Sequence, residues 1–177
     1  MPQQLTLDDA RQSLTAHIAT KGAEIRARFG PRIGFQELER LLADRDYTRY
    51  PVEIVFSATG LLDGEFAHPF PKGTNPEDGF MLHVHPYFVT QLAYVPALVL
   101  YQLVLVNYGD FASPTDAEIF GAAVLGIEQE KYYEGLCEMA DLVSEGIATT
   151  APAVESSEGG CCGGGGGSCG CSGGGGH

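Results

Sequence analysis

Hydrophobic side chains are densest in the run Tyr87–Tyr108, which contains no charged residue. A segment that is apolar on nearly every side has to be buried, either in a protein core or in a bilayer. Pro96 divides the run, because proline fits the first turn of a helix and disrupts its interior. The pattern predicts a short helical piece over Tyr87–Ala93 and a buried helix over Ala97–Tyr108. The β-branched residues of the run leave a buried strand open as an alternative.

The same run is just long enough to cross a bilayer, which takes about 20 apolar residues. Gln91 and Gln102 interrupt it, and the nearest basic residues are Lys72 and Lys131. No flanking Lys or Arg is therefore present to set an orientation in a membrane. We therefore expect the run to be the core element of a globular domain and not a membrane span.

Amphipathic spacing predicts helices on both sides of this central run. Thr6 and Asp9 form a capping pattern that begins a helix extending to about residue 29. Ser113 followed by Pro114 is a second strong start signal, with a stop at Gly126. Apolar stripes at helical spacing complete the prediction of helices near residues 7–29, 35–43, 114–125 and 128–144.

Strands are predicted between the second of these helices and the central run. Residues Val52–Ser57 are β-rich, and Phe80–His85 alternates between two faces. A short strand at Glu65–Ala67 would complete a hairpin, and the proline-rich stretch Pro69–Gly79 is predicted as a loop. Helices, then strands, then helices indicate an α+β fold with a small antiparallel sheet. We assign residues 1–148 to one domain and residues 149–177 to a linker and tail.

Charge is distributed unevenly over the 177 residues. The formal net charge is −13, yet residues 1–50 hold eight of the ten basic side chains and seven of the 23 acidic ones. A field of this sign repels nucleic acid and suits cationic partners, including metal ions. We expect the basic cluster near the N-terminus to pair with the acidic body; it comprises Arg26, Arg28, Arg32, Arg40, Arg45 and Arg49.

The N-terminus MPQQLTLDDARQSL is polar and lacks the basic and apolar regions of a signal peptide. We therefore expect a cytoplasmic protein. In that compartment its five cysteines would be mostly reduced thiols.

The C-terminal segment GGCCGGGGGSCGCSGGGGH, residues 159–177, carries the most distinctive chemistry. It holds 12 of the 24 glycines and four of the five cysteines, and we expect no fixed structure for it because it has almost nothing to bury. Thiolates are the ligands that zinc, copper(I) and other soft metals prefer. The predicted ligands of this tail are Cys161, Cys162, Cys169, Cys171 and His177.

The same 19 residues are similar to the core regions of thiazole- and oxazole-modified microcin precursors. Gly159-Gly160, directly before Cys161, resembles a double-glycine cleavage site. The resemblance implies that a synthetase would cyclise Cys and Ser side chains onto the preceding carbonyls. The chain would then be the precursor of a modified peptide.

Three histidines form a second candidate metal site. His83 and His85 alternate on one predicted strand face, and His68 lies in the preceding hairpin region near Glu65. A His-x-His pair on a strand sends both imidazoles to the same side, where Asp63, Glu65 or Asp78 could complete a ligand set. This alternative predicts a metal-dependent, hydrolase-like enzyme.

The function that we expect first is non-enzymatic. In this interpretation the Cys-rich tail captures a soft metal ion and the acidic globular body docks a protein partner.

Overall fold

The computed structural model describes residues 6–150 and confirms the α+β class. Five helices and three short strands follow one another along the chain, with short 3₁₀ turns between several of them. Their bounds are α1 Leu7–Phe29, α2 Phe35–Ala43, β1 Val52–Phe56, β2 Ala67–Pro71, β3 Phe80–Val84, α3 Val95–Tyr108, α4 Pro114–Leu125 and α5 Gln129–Thr150. The predicted Gly/Cys-rich tail lies outside the described residues, as does the end of the predicted linker.

Helix α3 is the central buried element, as the apolar run predicts, and the strand alternative is wrong. Pro96 lies in its first turn, and Gly109 follows its last residue with a positive φ of 59°. The predicted helical piece before it is reduced to a 3₁₀ turn over Pro86–Thr90. No helix in the described part of the chain is long and apolar enough to span a membrane.

The sheet has the strand order β1-β3-β2 and is mixed, so the predicted all-antiparallel sheet is wrong. β2 runs antiparallel to β3, whereas β1 pairs with β3 in parallel from Val52↔Phe80 to Phe56↔Val84. The strand predicted at Glu65–Ala67 as the hairpin partner of β1 shares only Ala67 with β2, and β2 pairs with β3 on the side opposite β1. Pro69 and Pro71 favoured a loop in the sequence, yet an edge strand tolerates residues that lack an N–H.

Helix α1 packs along α4, and α4 packs in turn on α3 and α5. The predicted caps are present: Thr6 accepts from the Asp9 amide, and Ser113 accepts from the Asp116 amide. Gly22 on α1 lies so close to α4 that a Cβ atom there would be 2.7 Å from the Ala123 Cβ. A glycine at this crossing therefore allows the two helices their close approach.

Candidate functional site

His68 and His83 occupy directly facing positions on β2 and β3. The Phe70 ring packs against both, at centroid distances of 4.9 Å from His68 and 4.7 Å from His83. Two of the three predicted histidines are thus neighbours on one face of the sheet. They differ in exposure, since the His83 side chain is buried and the His68 side chain is about half exposed.

Each of these two imidazoles is oriented through its Nδ1 atom. The Nδ1 of His68 lies 2.9 Å from a Glu65 carboxylate oxygen, and the Nδ1 of His83 lies 2.7 Å from the Thr59 carbonyl oxygen. A carbonyl can only accept, so Nδ1 of His83 carries a proton. This orientation resembles the second-shell arrangement of many metal-bound histidines.

His85 has a different role from the other two. It lies beyond the end of β3, where its Nδ1 accepts from the Tyr87 amide at 3.3 Å and caps the 3₁₀ turn Pro86–Thr90. Burial lowers the pKa of His85, which favours the neutral ring that this acceptor role needs. Within residues 6–145, no three or more His, Cys, Asp or Glu side chains are grouped so that they could hold a metal ion.

The three carboxylates predicted to complete the histidine site do not gather around the imidazoles as a ligand set. Glu65 binds the His68 ring, and Asp78 accepts from the Asn75 amide at the start of a 3₁₀ turn. Asp63 is exposed in the loop before β2. The structure therefore joins His68 to Glu65 and places His83 beside them, without assembling the three histidines into one ligand set.

The tail candidates Cys161, Cys162, Cys169, Cys171 and His177 lie outside the described residues. Cys137 is the one cysteine in the described part of the chain, and it is exposed on α5. A hydrogen bond with Cys137 raises the pKa of the Tyr133 phenol. Cys137 is therefore a suitable control position when the metal binding of the tail thiols is measured.

A pocket that the sequence did not reveal lies where α1, the loop after α2 and the end of α3 meet. We call it the cationic pocket; its volume is about 310 Å³, and its charged and phenolic lining includes His17, Lys21, Arg45, Arg49 and Tyr108. His17 and Lys21 are four residues apart and share one face of α1. The edge of the His17 ring meets the Tyr108 ring at a centroid distance of 6.1 Å.

Asn107 fixes the loop that forms one wall of this pocket. Its buried side chain accepts from the Arg49 amide at 2.9 Å and donates to the Tyr47 carbonyl at 2.8 Å. Both backbone groups belong to the loop between α2 and β1, so one side chain of α3 holds the loop at two points. The sequence signal for this role was weak, because a single Asn in an apolar run does not reveal its partners.

An open cleft of about 730 Å³ adjoins the cationic pocket and shares Arg49, Asn107 and Tyr108 with it. We call it the apolar cleft, because its other walls include Tyr50, Phe80, Leu105 and Phe111. The Phe111 side chain is 89% exposed and Leu105 is 38% exposed. Large apolar side chains at the mouth of a cleft are typical of binding surfaces.

The predicted pairing of the basic cluster with the acidic body is wrong for the described residues, where no arginine of the cluster forms an ion pair with a carboxylate beyond residue 50. Arg28 forms ion pairs with Asp44 at 2.8 Å and Asp46 at 3.4 Å, which belong to its own half of the chain. Arg26 donates to the Leu125 carbonyl. Neither Arg45 nor Arg49 has a carboxylate within ion-pair distance among the described residues, and both line the cationic pocket.

The outer face of α5 is strongly acidic. Glu130, Glu134, Glu138 and Asp141 are all exposed at spacings of three and four residues, which places them along one stripe. Like charges at these spacings destabilise a helix by about 0.2–0.5 kcal/mol per pair. The helix keeps its stripe despite this repulsion, and its chain continues toward the Gly/Cys-rich tail.

Comparison of the chain with protein-family models, curated proteins and solved structures gives no match in any of the three.

Proposed function

We propose that this protein is a non-enzymatic carrier whose C-terminal tail binds a soft metal ion and whose folded body docks on a protein partner. The observation that carries the proposal is the placement of four cysteines within residues 161–171, next to glycine in most positions. Zinc and copper(I) are the metals whose preferences fit such a thiolate set. Cys161, Cys162, Cys169 and Cys171 are the proposed ligands, with His177 as a further donor.

Glycine suits this role because a chain without Cβ atoms can wrap a metal ion closely. Ordering such a chain loses much conformational entropy, and metal–thiolate bonds offset that loss when several form together. Structural zinc sites in small peptides reach apparent binding free energies of about 10–16 kcal/mol at neutral pH. The ligand chemistry is thus strong enough to order a segment of this composition.

The acidic stripe of α5 supports the docking part of the proposal. The stripe precedes the tail in the sequence, so a partner bound there would be close along the chain to the proposed metal ligands. Charge complementarity indicates a basic surface on the partner. An oligolysine peptide serves as the probe: its affinity should fall in Glu130→Gln/Glu134→Gln/Glu138→Gln and stay unchanged in Asp8→Asn/Glu39→Gln/Glu77→Gln, which removes three exposed acids elsewhere. Equal affinities of the two triple variants would remove the stripe from the proposal.

Metal titration under anaerobic, reducing conditions tests the tail. The full chain should bind zinc or copper(I), and Cys161→Ser/Cys162→Ser/Cys169→Ser/Cys171→Ser should lose that binding. Cys137→Ser is the matched control, because it removes an exposed thiol from the folded body and should leave the metal content unchanged. Affinity should also fall between about pH 7 and pH 5, since thiols must lose their protons to bind. Full metal retention in the four-serine variant would exclude the tail as the site.

If the four-serine variant retains its metal, the His68–His83 pair becomes the candidate metal site. The ring orientation described above favours it, because both imidazoles hold Nδ1 in a hydrogen bond and leave Nε2 for another partner. A metal that remains in the four-serine variant and is lost from His68→Ala/His83→Ala would favour the metal-dependent alternative.

The modified-peptide alternative is favoured by Gly159-Gly160 and by the serines among the tail cysteines. Intact-mass measurement of the protein purified from its own host distinguishes it from metal binding. Cyclisation onto a carbonyl removes water from each modified residue and lowers the covalent mass. Bound metal raises the native mass and disappears on denaturation.

A further inference from the structure

The cationic pocket gathers positive charge from two distant parts of the chain. Lys21 comes from α1, whereas Arg45 and Arg49 come from the loop after α2. Asp46 is the one carboxylate in the lining, and it lies 3.4 Å from Arg28. Lys21 forms an ion pair with Glu24 on the same helix, in which Nζ lies 2.8 Å from Oε2. The lining therefore has more cations than carboxylates in a protein that is acidic as a whole.

The two arginines are held in place without being neutralised. Arg45 donates to the Arg49 carbonyl at 3.3 Å, and the Arg49 guanidinium stacks over the Tyr50 ring at 5.3 Å from its centroid. Asn107 fixes the backbone between them, as described above. A guanidinium that is oriented by its neighbours and has no carboxylate partner is ready to bind an anion through paired N–H groups.

Tyr108 adds a neutral donor to the lining of both cavities. Burial raises the pKa of its phenol, although the positive charges of Lys21 and Arg49 act in the opposite direction. The hydroxyl therefore keeps its proton at neutral pH and can donate it to an anion. Asp110 lies on the far side, in the lining of the apolar cleft, where it would repel an anionic group placed there.

Polarity thus changes across the shared residues Arg49, Asn107 and Tyr108. Cations surround one side, and apolar side chains such as Leu105 and Phe111 line the other. We propose that the two cavities form one binding site for a small amphipathic anion in solution. Its carboxylate or phosphate head would lie at Lys21, Arg45 and Arg49, and its apolar body would lie along Leu105 and Phe111. The site belongs to the folded body and does not depend on the tail's metal chemistry.

A fluorescent sulfonate tests the site in the full-length chain. The probe is 1-anilinonaphthalene-8-sulfonate, compared with N-phenyl-1-naphthylamine, which has the same rings and no charge. We expect Arg45→Gln/Arg49→Gln to weaken the sulfonate by about tenfold, or about 1.4 kcal/mol, and to leave the neutral probe unchanged. Arg32→Gln/Arg40→Gln is the matched control, since it removes two exposed arginines outside both cavities.

The apolar cleft is tested with the same two probes. Phe111→Ser should weaken both of them, whereas Leu62→Ser, at a residue 76% exposed elsewhere, should weaken neither. Decanoate and decyl phosphate should then compete with the sulfonate, and their relative strength identifies the preferred head group. Decanol should compete poorly. Higher salt should weaken the sulfonate in the unaltered protein, because partly exposed charges are screened.

Two results would overturn the proposal. If the two double-arginine variants bind the sulfonate equally, the cationic pocket is not the site. If Arg45→Gln/Arg49→Gln lowers the melting temperature and leaves probe affinity unchanged, the arginines serve the carboxyl end of α3, where cations are favourable in any helix. All these substitutions are at exposed positions, and the salt dependence supplies a test that needs no variant.

Discussion

Replacement of Gly22 by alanine should destabilise the protein, whereas the same replacement at Gly135 should stabilise it. Both glycines lie inside helices, Gly22 in α1 and Gly135 in α5. In a helix, alanine is more favourable than glycine by about 0.5–1 kcal/mol, because glycine loses more backbone entropy on folding. That gain is common to the two variants and cancels when they are compared.

The surroundings of the two added methyl groups differ. At Gly22 the new Cβ would be 2.7 Å from the Ala123 Cβ and 3.0 Å from the Phe120 carbonyl oxygen. Neither atom belongs to a flexible side-chain end, so α1 and α4 would have to move apart. At Gly135 no heavy atom lies within 4 Å of the new Cβ. Overpacking in a tight core costs about 1–3 kcal/mol, which is the expected difference between the two variants.

Urea unfolding of both variants and the unaltered protein measures this difference. The midpoint should rise for Gly135→Ala and fall for Gly22→Ala, with little change in slope. In thermal unfolding, each kcal/mol should shift the melting temperature by about 2–4 °C in a protein of this size. If Gly22→Ala were as stable as Gly135→Ala, α1 and α4 would not cross at Gly22, and the helix packing described here would be wrong.

Two further predictions concern the buried core and acid stability. Val104→Asp should prevent folding, because Val104 is 1% exposed and an unpaired buried charge costs several kcal/mol. Leu105→Asp, at a neighbouring site that is 38% exposed, should yield folded protein, and circular dichroism of the two purified variants tests this difference. Burial raises the pKa of Asp116, but hydrogen bonds from Thr15 and Ser113 outweigh it and hold that pKa below its usual value. The ionised carboxylate therefore stabilises the fold above about pH 3.9, and this contribution is lost as pH falls through the pKa of Asp116 in the folded state. In urea unfolding, the stability of Asp116→Asn should depend less on pH in that acidic range than the stability of the unaltered protein does.

Local signals in the sequence were sufficient for most helices. The Ser113-Pro114 start gave the first residue of α4, and the amphipathic stripe gave both ends of α2. These elements are set by caps and periodicity within a few residues. The strand predicted at Glu65–Ala67 stopped where β2 begins, because Pro69 and Pro71 oppose strand structure locally, and the edge position that tolerates them is a tertiary property.

The cationic pocket could not be predicted for the same reason. Lys21 lies more than 20 residues before Arg45 and Arg49, and Tyr108 is about 60 residues beyond Arg49. The contact of His17 on α1 with Tyr108 at the end of α3, together with the bonds from Asn107 to the loop after α2, brings them together. Pairing with the acidic body was the prediction for these arginines. Arg28 instead pairs with Asp44 and Asp46 of its own half of the chain, and Arg45 and Arg49 have no carboxylate partner among the described residues.

Two buried polar side chains of α3, Gln102 and Asn107, illustrate how the fold and the pocket are connected. A helix that is apolar all round has no preferred face, so hydrophobic burial alone does not fix its rotation about its axis. Gln102 donates to the Ala67 carbonyl at 2.7 Å and Asn107 binds the backbone of Tyr47 and Arg49, and a buried amide left without such partners would be destabilising. Rotation of α3 would break both sets of bonds at once. Gln102 and Asn107 therefore orient this core helix, and Asn107 in doing so also places Arg49 at the pocket.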